Sequence, residues 1–83
     1  KPPYSFPCLI GMGMLHHGPG SVGVAYIYEF ILERFPYFRT AKSGWKNSIR
    51  HNLSLNKYFI KIDREIPDAR KGSLWALAPG RED

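Results

Sequence analysis

Four polar side chains in the run GWKNSIRHNLSLNKYF (residues 44–59) carry the chemistry needed to read a nucleic acid. On a helix at about 100° per residue, Asn47, Arg50, His51 and Ser54 fall on one side. Trp45, Ile49 and Leu53 recur at i, i+4, i+8 and form an apolar stripe on the other. A helix usually turns Lys and Glu toward solvent. Asn, Arg, His and Ser instead supply donors and acceptors with directional geometry. At a base edge, Asn pairs bidentately with adenine and Arg with guanine. A partly buried helix with a polar back shows the same split, so the spacing alone leaves both readings open.

A reading helix needs a scaffold to bury its stripe. Eighty-three residues make one small domain, and a chain this short buries only about 60% of its unfolded surface. An aromatic content of 14% helps, since each aromatic buries roughly 150–250 Å². Residues 1–6 are expected to be extended, because Pro2 and Pro3 disfavour helix. Ser5 is the expected N-cap of a first helix, with Pro7 in its first turn. Phe6, Leu9, Ile10 and Met14, with Cys8, give that helix an apolar face ending near Leu15 or His16. Gly11 and Gly13 each cost about 1 kcal/mol relative to alanine there. Either another helix approaches closely or the first helix is weak.

Residues 17–20, HGPG, form a turn, and residues 21–23 a short strand. A second helix over 24–35 keeps Val24, Ile27, Tyr28, Ile31 and Phe35 on one face and Glu29 and Glu33 on the other. Pro36 ends it. Phe38 is expected to plug the core from a loop, and residues 42–44 turn the chain into the third helix. Beyond it, residues 57–62 read as a strand in which Tyr58, Ile60 and Ile62 alternate with Phe59 and Lys61. A loop over 64–72 and a second strand over 73–78 complete an antiparallel hairpin. The fold class is mainly α with a small antiparallel sheet.

The net charge is +5 and the pI about 9.6. Residues 39–62 hold six basic side chains (Arg39, Lys42, Lys46, Arg50, Lys57, Lys61) and no acid. The acids lie at Glu29, Glu33, Asp63, Glu65, Asp68, Glu82 and Asp83. Such a block favours a polyanionic partner. With Cys8 as the one cysteine, no internal disulfide forms, which fits a reducing compartment. The pair His16-His17 and the distant His51 lack the spacing of a zinc site. GMGMLHHG (residues 11–18) matches neither nucleotide-loop pattern. No apolar run approaches the ~18 residues of a membrane span, and neither a signal peptide nor a repeat is visible. The start at KPPYS, without Met, has the look of an excised domain. An enzyme is disfavoured. There is no nucleophile–base arrangement, no GxSxG and no paired carboxylates, and His51 with Ser54 has no orienting acid nearby.

WKNSIRHNLSLNKYF closely resembles the recognition helix of the forkhead winged-helix transcription factors. The resemblance covers nearly the whole chain. It runs from Lys1-Pro2-Pro3-Tyr4-Ser5-Phe6 through Ile27-Tyr28 and Phe35-Pro36-Tyr37-Phe38 to Lys71-Gly72-Ser73-Leu74-Trp75. AKSGWKNSIRHNLSLNK and RKGSLWAL look most like the N-type group, although K- and J-type sequences share much of the third helix. The resemblance implies a single winged-helix domain over residues 1–83, with three helices and a hairpin wing, that binds double-stranded DNA in the nucleus. The third helix, about 45–55, would read the major groove of a TAAACA-like site. By resemblance, Asn47, Arg50 and His51 contact bases, and Ser54 supports them or touches the DNA backbone. Phosphate contacts are expected from Tyr4, Lys46, Arg70, Lys71, Ser73 and Trp75, with Lys57 and Lys61 as further candidates. Tyr4 and Trp75 could equally serve the core. No cofactor is required. The resemblance implies a structural cation such as Mg2+ on backbone oxygens of Leu53, Ser54, Asn56 and Phe59. The domain is expected to act as a monomer on DNA, with no membrane or small-molecule partner.

The sequence departs from the family at two places. Many forkheads carry tyrosine at the position of Phe6, where the hydroxyl reaches a phosphate, and Phe6 cannot make that contact. The second wing would follow Ala78, yet Arg81 is the sole base there, so that wing is truncated, absent or not basic. Some N-type members also accept a GACGC-type element. Two other readings compete: a linker-histone-type winged helix that binds duplex without reading it, and a winged helix that binds protein.

Overall fold

The computed structural model describes residues 2–62 and 73–78. Helix α1 spans Phe6–His17. Its start follows from Ser5, whose side chain accepts from the Cys8 N–H at 3.4 Å, with Pro7 in the first turn where its missing N–H is harmless. It stops at Gly18, which holds φ at 90° and donates its N–H to the Met14 carbonyl at 3.1 Å. That left-handed backbone is easy only for glycine. The helix runs to His17, slightly past the expected end. Leu9, Ile10 and Met14 are buried as expected, while Cys8 is exposed and lies off the apolar face.

Strand β1 is only Val22–Gly23. Helix α2 covers Val24–Arg34, and Phe35 caps it by donating its N–H to Ile31 O at 2.8 Å. Its buried residues are Ile27, Phe30 and Ile31. Phe30 widens the stripe expected from Ile27 and Ile31. Phe38 is buried as expected, though within a four-residue helix α3, Tyr37–Thr40, rather than a loop. The third long helix is therefore α4, Gly44–Leu55. Trp45, Ile49 and Leu53 are 7%, 0% and 1% exposed. They meet α1 and α2 in a core that also holds Leu9, Ile10, Ile27 and Ile31. Trp45 is the aromatic hub, 5.0 Å from the Phe38 ring and 5.6 Å edge-on from Tyr28.

Strands β2, Phe59–Ile62, and β3, Leu74–Leu77, pair antiparallel. The short β1 adds to the far side of β3, giving the order β1-β3-β2. The expected strand over 57–62 thus begins later, with Lys57 and Tyr58 in the turn. Of the alternating residues, Phe59 turns inward, while Tyr58 and Ile60 are exposed. Because side chains alternate faces along a strand, burying Phe59 places Ile60 outside. The expected loop over 64–72 lies outside the described residues, as do Arg81 and the rest of the chain after Ala78.

The two helix glycines differ in cause. A Cβ on Gly13 would sit 3.3 Å from Phe30 Cδ2, whereas one on Gly11 would meet nothing within 4 Å. Close approach of α2 accounts for Gly13, and Gly11 leaves α1 weaker than it need be. Gly11→Ala is expected to stabilise by up to about 1 kcal/mol, a rise of roughly 4–8 °C in melting temperature for a domain of this size. Gly13→Ala should gain less or lose stability, because Phe30 must shift. Thermal melts of the two variants check this, and equal gains would show that Phe30 gives way freely.

Candidate nucleic-acid interface

Burying the stripe of α4 turns the opposite side outward. Asn47, Arg50, His51 and Ser54 are all exposed, on one continuous face. The structure therefore brings the four sequence-predicted reading residues together. They are not uniformly free. Arg50 Nη1 donates to the Tyr28 hydroxyl at 2.6 Å, and its Nη2 donates to Asn47 Oδ1. The Tyr28 hydroxyl donates in turn to the Lys46 carbonyl at 3.4 Å. Ser54 Oγ donates back to the Arg50 carbonyl at 3.2 Å, so its lone pairs face outward. His51 has no hydrogen-bond partner among the described residues. Asn52 is half-buried and spends its amide on the Ser48 carbonyl at 2.8 Å, within the helix.

Beside this face lies a shallow groove of about 360 Å³, lined by Phe6, Asn47, Ser48, His51 and Asn52. Phe6 is half-buried there and brings an apolar edge to the rim. Lys46 holds its ammonium over the rings of Tyr28, at 5.3 Å, and Trp45, at 5.8 Å. Such cation–π placement keeps the charge near the N-terminal half of α4.

The remaining candidates spread around the rim. Tyr4 packs edge-on against Phe35, 5.9 Å between centroids, yet stays 48% exposed, so it serves the core and the surface at once. Trp75 is half-buried on β3, opposite Val22 of β1 and Lys61 of β2. Ser73 is half-buried just before β3. Lys57 and Lys61 are exposed. Arg70 and Lys71 lie outside the described residues. Arg39, counted in the basic block, donates through Nε to the Leu32 carbonyl at 3.1 Å and steadies the end of α2. His16 is occupied at 2.9 Å from the Tyr26 hydroxyl. Among the described residues no group of three or more His, Cys, Asp or Glu is placed to hold a metal.

The four residues named for a backbone cation site span the turn after α4: Leu53 and Ser54 lie in the last turn of the helix, Asn56 in the turn and Phe59 at the start of β2. Asn56 donates its N–H to Asn52 O at 2.9 Å, its side-chain oxygen accepts from the Tyr58 N–H at 2.9 Å, and its carbonyl accepts from Phe59 N–H at 3.1 Å. A carbonyl has a second lone pair, and the last carbonyls of a helix lack intrahelical partners and carry partial negative charge. Those oxygens are hard donors of the kind Mg2+ and Ca2+ prefer.

Sequence reasoning missed Tyr28. It counted there only as part of the apolar stripe of α2. The signal was its hydroxyl, which a buried stripe does not need and which here crosses to α4.

Residues 1–83 match the forkhead domain family. The chain belongs to the forkhead family. Forkhead box protein N4 of Danio rerio is 54% identical over 84 residues, covering 100% of this chain and 15% of that protein. Forkhead box protein N2 of Xenopus tropicalis is 56% identical over 80 residues, covering 95% of this chain and 24% of that protein. Forkhead box protein N1 of Homo sapiens is 52% identical over 84 residues, covering 100% and 13%. These relatives support the N-type subgroup expected from AKSGWKNSIRHNLSLNK and RKGSLWAL. The forkhead chain spans about a quarter or less of the length of these curated relatives.

The Asn56 turn joins α4 to the sheet, so its side chain has a measurable effect. Asn56→Ala is expected to cost about 0.5–1.5 kcal/mol by releasing the Tyr58 N–H. Urea unfolding checks the value, and an unchanged midpoint would show that water replaces the bond at no cost.

Proposed function

We propose that this forkhead domain is the sequence-specific double-stranded-DNA-binding part of a nuclear transcription factor. Helix α4 enters the major groove of a TAAACA-like site. The observation that carries this reading is the pairing of a buried stripe, Trp45, Ile49 and Leu53, with an exposed face of directional polar groups, Asn47, Arg50, His51 and Ser54. Asn47 presents an acceptor and a donor to adenine, and Arg50 donates to guanine or a phosphate. His51 donates to an acceptor such as thymine O4 or packs on its methyl. Tyr4, Lys46, Ser73 and Trp75, with Arg70 and Lys71, hold the phosphates and fix the register without reading sequence. The domain binds as a monomer. Backbone oxygens of Leu53, Ser54, Asn56 and Phe59 would hold a hard cation such as Mg2+, which would stiffen the turn behind the reading helix.

An anisotropy titration at several salt concentrations against TAAACA, GACGC and scrambled duplexes tests the reading. Clear preference for TAAACA with a steep salt slope is the expected result. Preference for GACGC as well would add the second element known among N-type forkheads. Equal, salt-sensitive binding to all three duplexes would favour the linker-histone-type reading, and no binding at low salt would remove the function. Asn47→Ala should cost about 1–3 kcal/mol on the preferred duplex and much less on the scrambled one. Equal losses on both would sink base reading by α4.

A negative charge on the reading face should act differently. Ser54→Asp is expected to weaken both duplexes, most at low salt, because it repels phosphates rather than altering base pairing. Near the C-terminus of α4 it should also cost about 0.3–1 kcal/mol of stability through the helix dipole. Binding as tight as that of the wild type would contradict the placement of Ser54 against DNA.

A further inference from the structure

The hydroxyl of Tyr28 joins two helices at the point where sequence would be read. Tyr28 sits on α2, half-buried, with its ring edge-on against Trp45 at 5.6 Å. Its oxygen donates to the Lys46 carbonyl of α4 at 3.4 Å and accepts from Arg50 Nη1 at 2.6 Å. The same guanidinium donates through Nη2 to Asn47 Oδ1. The chain of contacts runs from the scaffold, through Arg50, to the Asn47 amide.

Each link restricts the next. An asparagine amide has an acceptor end and a donor end, and only one orientation presents the correct pattern to adenine. With a guanidinium donating to Oδ1, the flipped amide would set its NH2 against other N–H donors and is disfavoured. Arg50 is a long exposed side chain whose freedom must be lost before it can hold Asn47. A hydroxyl fixed on α2 removes part of that freedom in advance, while further guanidinium N–H groups still face outward.

We propose that Tyr28 is a positioning residue for DNA reading, setting Asn47 through Arg50. The inference rests on the base-reading function proposed above. Discrimination by α4 then depends on a side chain from α2. Phenylalanine is the discriminating substitution, because it keeps the ring against Trp45 and removes only the oxygen.

The test is Tyr28→Phe in the same titration. Affinity for the TAAACA duplex should fall roughly 2- to 10-fold, the range for ordering one rotamer-rich side chain. Affinity for the scrambled duplex and the salt slope should stay at wild-type values, since no charge is removed. In an Asn47→Ala background the further loss should shrink to the part owed to Arg50's own contact. Unchanged or tighter binding to TAAACA, equal losses on both duplexes, or a full effect in the Asn47→Ala background would each overturn the inference. Wild-type protein run alongside separates the two readings. If it shows no preference, both fall; if it keeps its preference and Tyr28→Phe matches it, only this inference falls. NMR of the free wild-type domain gives a readout that needs no variant. The Arg50 Nε–Hε group should show slow guanidinium rotation, and rapid averaging there would overturn the relay.

Discussion

The burial of Trp45, Ile49 and Leu53 is the constraint on which the rest of this domain depends. It sets the rotation of α4 about its own axis, and that rotation decides which side chains face outward. Each large apolar side chain is worth about 1.5–3 kcal/mol when fully buried. Rolling the helix by one residue's angle would expose several of them together. A local hydrogen bond such as Arg50 to Tyr28 contributes only about 0.5–3 kcal/mol net, at the upper end because the donor is charged. The stripe therefore determines the gross orientation, and the polar contacts adjust side chains within it. Phe38 and Tyr28 add to the same effect by closing around the Trp45 ring.

Charge acts over a different range. The acid-free run over residues 39–62 includes the whole of α4 and β2, while Glu29 and Glu33 are exposed on α2. At physiological salt the screening length is about 8 Å. The basic run can therefore attract and orient a polyanion near the surface, but it cannot distinguish one base from another. That distinction needs hydrogen bonds at contact distance, and the side chains able to make them sit in the middle of the basic run.

Much of this was legible in the sequence because it rests on periodicity. The i, i+4, i+8 stripe of α4, the cap at Ser5 and the stop at Pro36 are local patterns, and local patterns survive folding. What escaped was long-range. The addition of Val22–Gly23 to β3 joins residues about fifty positions apart, and two residues carry too little pattern to announce a partner. The inward side of β2 could not be read either, because Phe59 opposes Tyr58 and Ile60 and both faces are apolar enough. The helix over Tyr37–Thr40 is too short for a periodic signal. For the exposed polar face of α4, the four residues were identifiable from type and spacing. The Tyr28 contact was not, since a tyrosine in an apolar stripe shows its ring to the pattern and hides its oxygen.

The exposed polar face that results is graded in order along α4. At its N-terminal half, Lys46 lies over two aromatic rings, and Asn47 and Arg50 are joined to α2 through the Tyr28 oxygen. At its C-terminal end, Ser54 is tied only to the backbone of its own helix. His51, between them, has no hydrogen-bond partner among the described residues. Side chains ordered before binding lose less entropy on contact than side chains that are free. The physical consequence is an uneven cost along one helix, lowest at Asn47 and Arg50 and higher at His51. A partner group opposite Asn47 would meet a side chain already in place, whereas one opposite His51 would meet a side chain that can still turn to suit it. Strict selection at one position and tolerance at another would then coexist on a single rigid helix, because the difference lies in what each side chain is bonded to before any partner arrives.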